Sequence, residues 1–371
     1  MSYGFLSLVL HAHLPFVRHP EYERFLEEDW LFEAISETYL PLLRVFSRLK
    51  QDGIPYRLTL SMSPTLSAML TDELLQERYV AHCERMIELS ASEIKRTAGD
   101  RDFEPLARMY RDLFEQNLDD FENIYKRNLA KGFRNFQKDG YLEIITTSAT
   151  HSFLPLYQQY PNAVEMQIHT AVISHGRTFG ANPNGFWLPE CGYYPGLERF
   201  IKANGMKYFL TAAHGILFAD QRSPHGVYTP LMLPNRTAAF GRDIPSSQAV
   251  WSSEEGYPGD FSYREFYRDI GFDLPLDYVR PWIHGDDIRV NTGFKYYAIT
   301  GRTDTKKPYV PAEASRKAEE HAENFVYNRI KQLGKLTRIM DKPPIIVSPY
   351  DAELFGHWWF EGPQFLDYVI R

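Results

Sequence analysis

Three observations predict an α/β fold of seven strand-and-helix units carrying a helical insertion. Short apolar runs of strand length recur along the chain and alternate with stretches of helical periodicity. Histidines and carboxylates stand at or just past the carboxyl ends of these runs: His11, His13, His151, Glu190, His214 and Asp351. From Thr71 to about Lys138 the spacing stays helical with no strand between, which marks an insertion. Chemistry-bearing side chains gathered at strand C-termini are what a barrel-type site requires.

Gly4–Leu10 reads as the first strand and runs into His11-Ala12-His13-Leu14-Pro15, where the two histidines project to the same side. Such a His-x-His pair can ligate a metal, hydrogen-bond a substrate or sit in the core. No HExxH motif or cysteine pair accompanies it. Trp30 follows as a core residue or a sugar platform, ahead of a helix through Tyr39 to Leu49. Tyr56–Met62 is the second strand, closed by Ser63-Pro64. In the insertion Leu75, Tyr79, His82, Met86 and Leu89 recur by threes and fours, then Leu106, Tyr110, Leu113, Phe121 and Ile124. Its charged faces read as solvated helix surface.

Tyr141–Thr146 is the third strand, with His151 just beyond it, and Gly185–Leu188 is the fourth. A helix over Leu197–Asn204 stops at Gly205 and leads to the fifth strand, Lys207–Thr211, with His214 past its end. Phe218–Asn235, punctuated by Pro224, Gly226, Pro230 and Pro234, reads as a long loop beside the site, of the kind that forms lids. Thr237–Arg242 is the sixth strand. Residues 271–312, which include Trp282 and His284, show no clean period. A helix from Ala312 to Met340 then enters the seventh strand, Ile345–Pro349.

Two of these strands share a design. Phe186-Trp187-Leu188 ends at Pro189 and offers Glu190; Ile345-Ile346-Val347-Ser348 ends at Pro349 and offers Asp351. Glu190 alone could equally cap the following helix. A second acid in the same setting favours two carboxylates facing one another across a pocket. Trp187, Tyr193, Tyr194, Tyr350, Trp358 and Trp359 lie around them and suit sugar rings, whose C–H faces stack on apolar planes. Paired carboxylates with aromatic walls point to glycoside chemistry.

The composition narrows the partners. A chain of 371 residues, 44% hydrophobic, can bury a large core, and one enlarged domain is the simplest reading. A net charge of −7 without a basic stripe argues against nucleic acid. No apolar run approaches membrane-spanning length, and the N-terminal run lacks the basic region of a signal peptide. Cys83 and Cys191 form no disulfide framework or metal motif, so a reducing, cytoplasmic setting is expected.

At these residues the chain resembles glycoside hydrolase family 57, within it the α-glucan branching-enzyme group. The resemblance rests on His-Ala-His-Leu-Pro at 11–15, Trp-Leu-Pro-Glu-Cys-Gly-Tyr-Tyr at 187–194, Tyr-Arg-Glu-Phe-Tyr-Arg-Asp-Ile-Gly at 263–271 and Asp-Ala-Glu-Leu-Phe-Gly-His-Trp-Trp-Phe-Glu-Gly at 351–362. It implies an incomplete (β/α)7 barrel and a retaining mechanism with Glu190 as nucleophile and Asp351 as acid/base. It also implies that His11, His13, Trp30, His151 and Trp282 line subsites for an α-glucan such as glycogen, amylose or maltooligosaccharide, with no cofactor and no metal. Branching, amylase-like hydrolysis and 4-α-glucan transfer share this mechanism, and a glucan-binding protein without turnover is the rival from another class. The resemblance departs in two places. Members of the group continue into a C-terminal helical region, whereas this chain stops at Arg371. The site loop reads Ser223-Pro224-His225-Gly226-Val227-Tyr228, where an aromatic is expected before the glycine.

Overall fold

In a computed structural model of the chain, residues 4–252, 254–285 and 287–371 are described. The strands are β1 (Phe5–Ala12), β2 (Leu58–Met62), β3 (Leu142–Ile145), β4 (Gly185–Trp187), β5 (Tyr208–Thr211), β6 (Leu231–Met232), β7 (Ala238–Gly241) and β8 (Ile345–Asp351). They form two four-stranded sheets, ordered β3-β2-β1-β8 and β4-β5-β7-β6. Every pairing is parallel except β6 with β7. An isolated parallel bridge from Thr146 to Phe186 links β3 to β4. At the far edges the Asp243 N–H, just after β7, donates to the Val347 carbonyl of β8 at 2.9 Å. Parallel strands need a crossover between them, and helices here supply it, covering strands whose apolar runs are buried.

Among those helices, Pro311–Ile339 returns the chain to β8. Glu73–Arg96, Glu104–Asp119 and Leu129–Lys138 occupy the span read as an insertion. The first is capped by Asp72, whose carboxylate accepts the Leu75 N–H, and the third by Asn128. Their apolar stripes join Tyr79, Tyr110 and Phe133 to one large core with Leu10, Phe46 and Tyr350. No helix among the described residues is long and apolar enough to cross a membrane.

Two expectations need correction, and the stretch without a clean period gains a physical account. The Phe218–Asn235 loop contains a strand, β6, which doubles back antiparallel on β7. β8 runs through Pro349 to Asp351, because its pairing with β1 continues to the His11–Asp351 register. The stretch 271–312 is held by side chains rather than by an amphipathic face: the Asp269 carboxylate accepts from the backbone N–H groups of Gly271, Thr292 and Gly293 and from the Thr292 hydroxyl. Glu93 likewise accepts from the Tyr278 and Tyr296 hydroxyls, and a segment anchored by scattered buried polar groups leaves no periodic trace.

Candidate active site

The β1 end supplies His11 and His13. His11 sits opposite Ser61 in the β1–β2 register and opposite Asp351 in the β1–β8 register. His11 Nδ1 lies 3.0 Å from Ser61 Oγ, and His13 Nδ1 lies 3.0 Å from Ser63 Oγ. The His11 ring lies parallel to Trp187 at 4.4 Å, with an interplanar angle of 5°. His151 stacks on His13 at 3.9 Å and on His11 at 4.9 Å. Burial holds His11 well below the usual imidazole range, helped by the repulsion that a proton on His151 or His13 would add and by the Arg242 charge. His13 is pushed down to about 3 by burial and by His151. Burial also lowers His151, against the opposing pull of Glu190. The His11 and His13 rings are therefore neutral at neutral pH. Stacked rings point their in-plane lone pairs alongside one another rather than at a common centre. Among the described residues no group of three or more His, Cys, Asp or Glu side chains is placed to hold a metal ion.

Glu190 occupies a tight turn beyond β4. The turn Pro189–Cys191 has φ of 52° at Glu190 and 55° at Cys191, both in the left-handed region. Backbone bonds hold it: the Cys191 N–H donates to the Leu188 carbonyl at 2.8 Å, and Thr211 Oγ1 donates to the Cys191 carbonyl at 3.1 Å. The turn throws the Glu190 side chain clear, 75% exposed, with His151 Nε2 3.5 Å from its Oε1. Helix capping is not its task. Glu198 accepts the Gly196 N–H at the start of helix Leu197–Ala203 instead.

Asp351, the last residue of β8, is pushed up to about 6. Burial is the main cause; the Arg242 guanidinium opposes it and the Glu190 charge adds to it. The two acids thus share one electrostatic environment and differ in exposure. Two residues on, Glu353 is raised to about 8 by burial, against hydrogen bonds from the Tyr39 hydroxyl at 2.5 Å and the His13 N–H at 3.1 Å. Neither Arg242 nor Glu353 was singled out from the sequence. Arg242 follows β7 directly and stands 3.7 Å from Cys191 Sγ, so the strand-end rule that found Glu190 could have found it.

A cavity of about 980 Å³ opens beside Asp351, with Trp251, Arg264, Phe266, Tyr267, Trp358 and Trp359 among its walls. A second, of about 320 Å³, shares Phe266 and Trp358 and adds Asp29, Trp30, Glu33 and His357. Trp30 and Trp358 are thus brought to one cleft and are partly exposed, while Trp359 is 2% exposed. Trp187 is also buried and reaches the site through its stack on His11. Trp251, missed in the sequence, is half exposed and also borders a third cavity with Arg242 and Gln248.

Three other expected residues are absent from the walls of these cavities. Trp282 lines none of these cavities; it packs against the main core, and its carbonyl accepts from Arg24. His214 follows β5 but stands exposed in the short helix Ala213–Leu217. Tyr228 packs beside the start of β8, where its carbonyl accepts the Ile345 N–H at 2.9 Å and its hydroxyl accepts from Gln332. That is the opposite end of the strand from Asp351, because the loop is drawn down to pair as β6 instead of covering the cleft.

The chain has relatives among known proteins. It matches Glycosyl hydrolase family 57 over residues 7–370. It is 32% identical to the 1,4-α-glucan branching enzyme TK1436 of Thermococcus kodakarensis across 99% of its own length, and spans 55% of that relative. Among solved structures, the α-amylase AmyC of Thermotoga maritima superposes with a TM-score of 0.95 at 46% identity, covering 99% of this chain and 71% of that one. A family 57 branching enzyme of Pyrococcus horikoshii superposes with a TM-score of 0.87 at 32% identity, covering 100% and 67%.

Proposed function

The chain belongs to glycosyl hydrolase family 57, and from that premise we propose that it is a retaining α-glucan-active enzyme whose reaction is 1,4-α-glucan branching. The observation that carries this reading is the pair of unlike acids. Glu190 stands exposed on a strained turn, and Asp351 stands half-buried with its affinity for a proton raised. Environments that set two carboxyls apart assign the roles of nucleophile and acid.

Glu190 attacks the anomeric carbon of the donor glucan. As that bond forms, the glycosidic C–O bond breaks and Asp351 gives its proton to the departing oxygen, leaving a glycosyl-enzyme ester. Asp351, now ionised, takes the proton of an incoming glucan 6-hydroxyl; that oxygen displaces Glu190 and forms the α-1,6 link. For retention the carboxyls are expected about 5–5.5 Å apart. His11, His13 and His151 hold hydroxyls of the sugar beside the acids. Trp30, Trp251 and Trp358 offer ring faces further out. The seven parallel strands β8, β1, β2, β3, β4, β5 and β7 make up an incomplete (β/α)7 barrel within one catalytic domain that includes the 71–138 helices. Bridges between its two sheets support that description. No cofactor is invoked, and a chelator should leave turnover unchanged. The two free, buried cysteines suit a cytoplasmic setting.

A specific observation favours a second reading, α-amylase. Tyr228 and its loop lie against β8 away from the cleft, which leaves the glycosyl-enzyme open to water; the 46% identity to an α-amylase points the same way. The test is incubation with amylose, counting new 1,6-linkages against new reducing ends. Linkages without reducing ends establish branching, reducing ends alone establish hydrolysis, and neither would leave a binding protein.

A further inference from the structure

His13 sits in a hydrogen-bond network whose protons can be counted. Thr65 Oγ1 lies 3.1 Å from the Leu14 carbonyl and 3.4 Å from His13 Nδ1; a carbonyl can only accept, so satisfying Leu14 commits the single Thr65 hydroxyl proton and leaves Thr65 only an acceptor toward His13. Ser63 Oγ lies 3.0 Å from Thr65 Oγ1. That contact is a hydrogen bond only if Ser63 supplies the proton. Ser63 Oγ also accepts the Leu66 N–H at 3.2 Å, as N-cap of helix Pro64–Leu70. With its own proton spent, Ser63 bonds His13 Nδ1 at 3.0 Å only if the ring nitrogen carries a proton. Ser63 then donates once and accepts twice, the full capacity of a hydroxyl.

We propose that Ser63 and Thr65 are positioning residues that fix His13 in the Nδ1–H tautomer, so that its Nε2 meets the substrate as an acceptor and the bound sugar must donate a hydroxyl proton there. His11 gives the contrast. Its partner Ser61 Oγ, at 3.0 Å, has no other hydrogen-bond partner among the described residues and is free to donate or accept, so neither tautomer is imposed. His13 is pinned from two further sides: its backbone N–H donates to Glu353, and His151 stacks on its ring at 3.9 Å. Its proton affinity is low enough that the ring stays neutral at neutral pH, and a neutral imidazole has one donor nitrogen and one acceptor nitrogen. The choice between them then decides what the sugar must present. A hydroxyl can satisfy an acceptor; a fluorine in its place accepts only and cannot.

The tautomer stands independently of the proposed function, whereas the demand on the sugar rests on His13 contacting glucan, and two measurements separate them. In the whole chain labelled with 15N-histidine, long-range proton–nitrogen correlation reads which ring nitrogen is protonated, with His13 assigned by its loss in His13→Gln. Wild type and Thr65→Ser should show a protonated Nδ1. Thr65→Val removes the proton sent to Leu14 and frees the Ser63 proton for Nδ1, so the ring should shift to Nε2–H. An Nε2–H ring in wild type overturns the proposal, even if no variant folds; so does a Thr65→Val ring that stays Nδ1–H. Binding of maltooligosaccharides carrying single deoxyfluoro substitutions is the second measurement. Wild type should bind one position's analogue about tenfold more weakly than the parent, and Thr65→Val should narrow that gap. A correct tautomer with no such discrimination would remove His13 from the glucan contacts while leaving the tautomer intact.

Discussion

Replacing Asp351 by asparagine should make the protein more stable at neutral pH while disabling it. The ordinary value for this carboxyl is 3.8 and in the fold it is about 6. Two units at about 1.36 kcal/mol each give roughly 3 kcal/mol of linkage between protonation and folding. The sign follows from which state holds the proton more tightly. Because the folded carboxyl does, its contribution is fully present below about pH 4 and is lost as pH rises through 6. At pH 7 the ionised, half-buried acid therefore weighs against the fold, whereas an amide cannot ionise. Asp351→Asn should gain about 3 kcal/mol at pH 7, which for a chain of this size raises Tm by about 4 °C. Below pH 4 the gain should vanish. Urea unfolding of both proteins at pH 7 and pH 3.5 measures the difference, provided each transition is two-state. An equal or less stable variant at pH 7, or a gain that persists at low pH, would refute the reasoning. The same variant should lose turnover by orders of magnitude and recover part of the first step with a donor bearing a good leaving group.

Glu190→Gln should abolish turnover without such recovery, while maltooligosaccharide affinity measured by calorimetry stays within a few-fold, because the amide is nearly isosteric but a far weaker nucleophile. In the parent enzyme kcat/KM should fall as pH rises past about 6, where Asp351 gives up its proton; Arg242→Leu should move that limb upward by about one unit, since the guanidinium favours the ionised form. A limb that moves down would contradict the electrostatics. Gly356→Ala should destabilise by roughly 3 kcal/mol or more in thermal unfolding, because φ is +123° and the new Cβ would lie 1.7 Å from the Glu37 carbonyl oxygen.

Local patterns carried the strands and the two acids well. Apolar runs ending in proline and a carboxylate are short-range features, and Trp187, Glu190, Pro349 and Asp351 lie where such runs suggest. The aromatic cleft was harder. Trp282 and Trp251 look alike in sequence, each in an irregular stretch, and only packing decides that one joins the core and the other a cavity wall. Tyr228 went astray for a similar reason. Whether a loop covers a cleft or folds down its flank depends on β6 pairing with β7, a contact that proline and glycine content does not encode. Glu353 was passed over because a charged residue two places past a strand end ordinarily faces solvent; burial at 6% exposure needed Tyr39 to arrive from a distant helical segment.

The left-handed pair Glu190–Cys191 bears on how this protein could change over generations. A side chain there costs on the order of 1 kcal/mol that glycine would not. Thermodynamics alone would therefore favour drift toward glycine, and that drift would delete the acid in the same step. A lineage that only bound glucan would have nothing to set against the gain. On the mechanism proposed above, glutamate at position 190 is a residue that folding disfavours and turnover demands, so a descendant with glycine here would be a sturdier protein and a silent one.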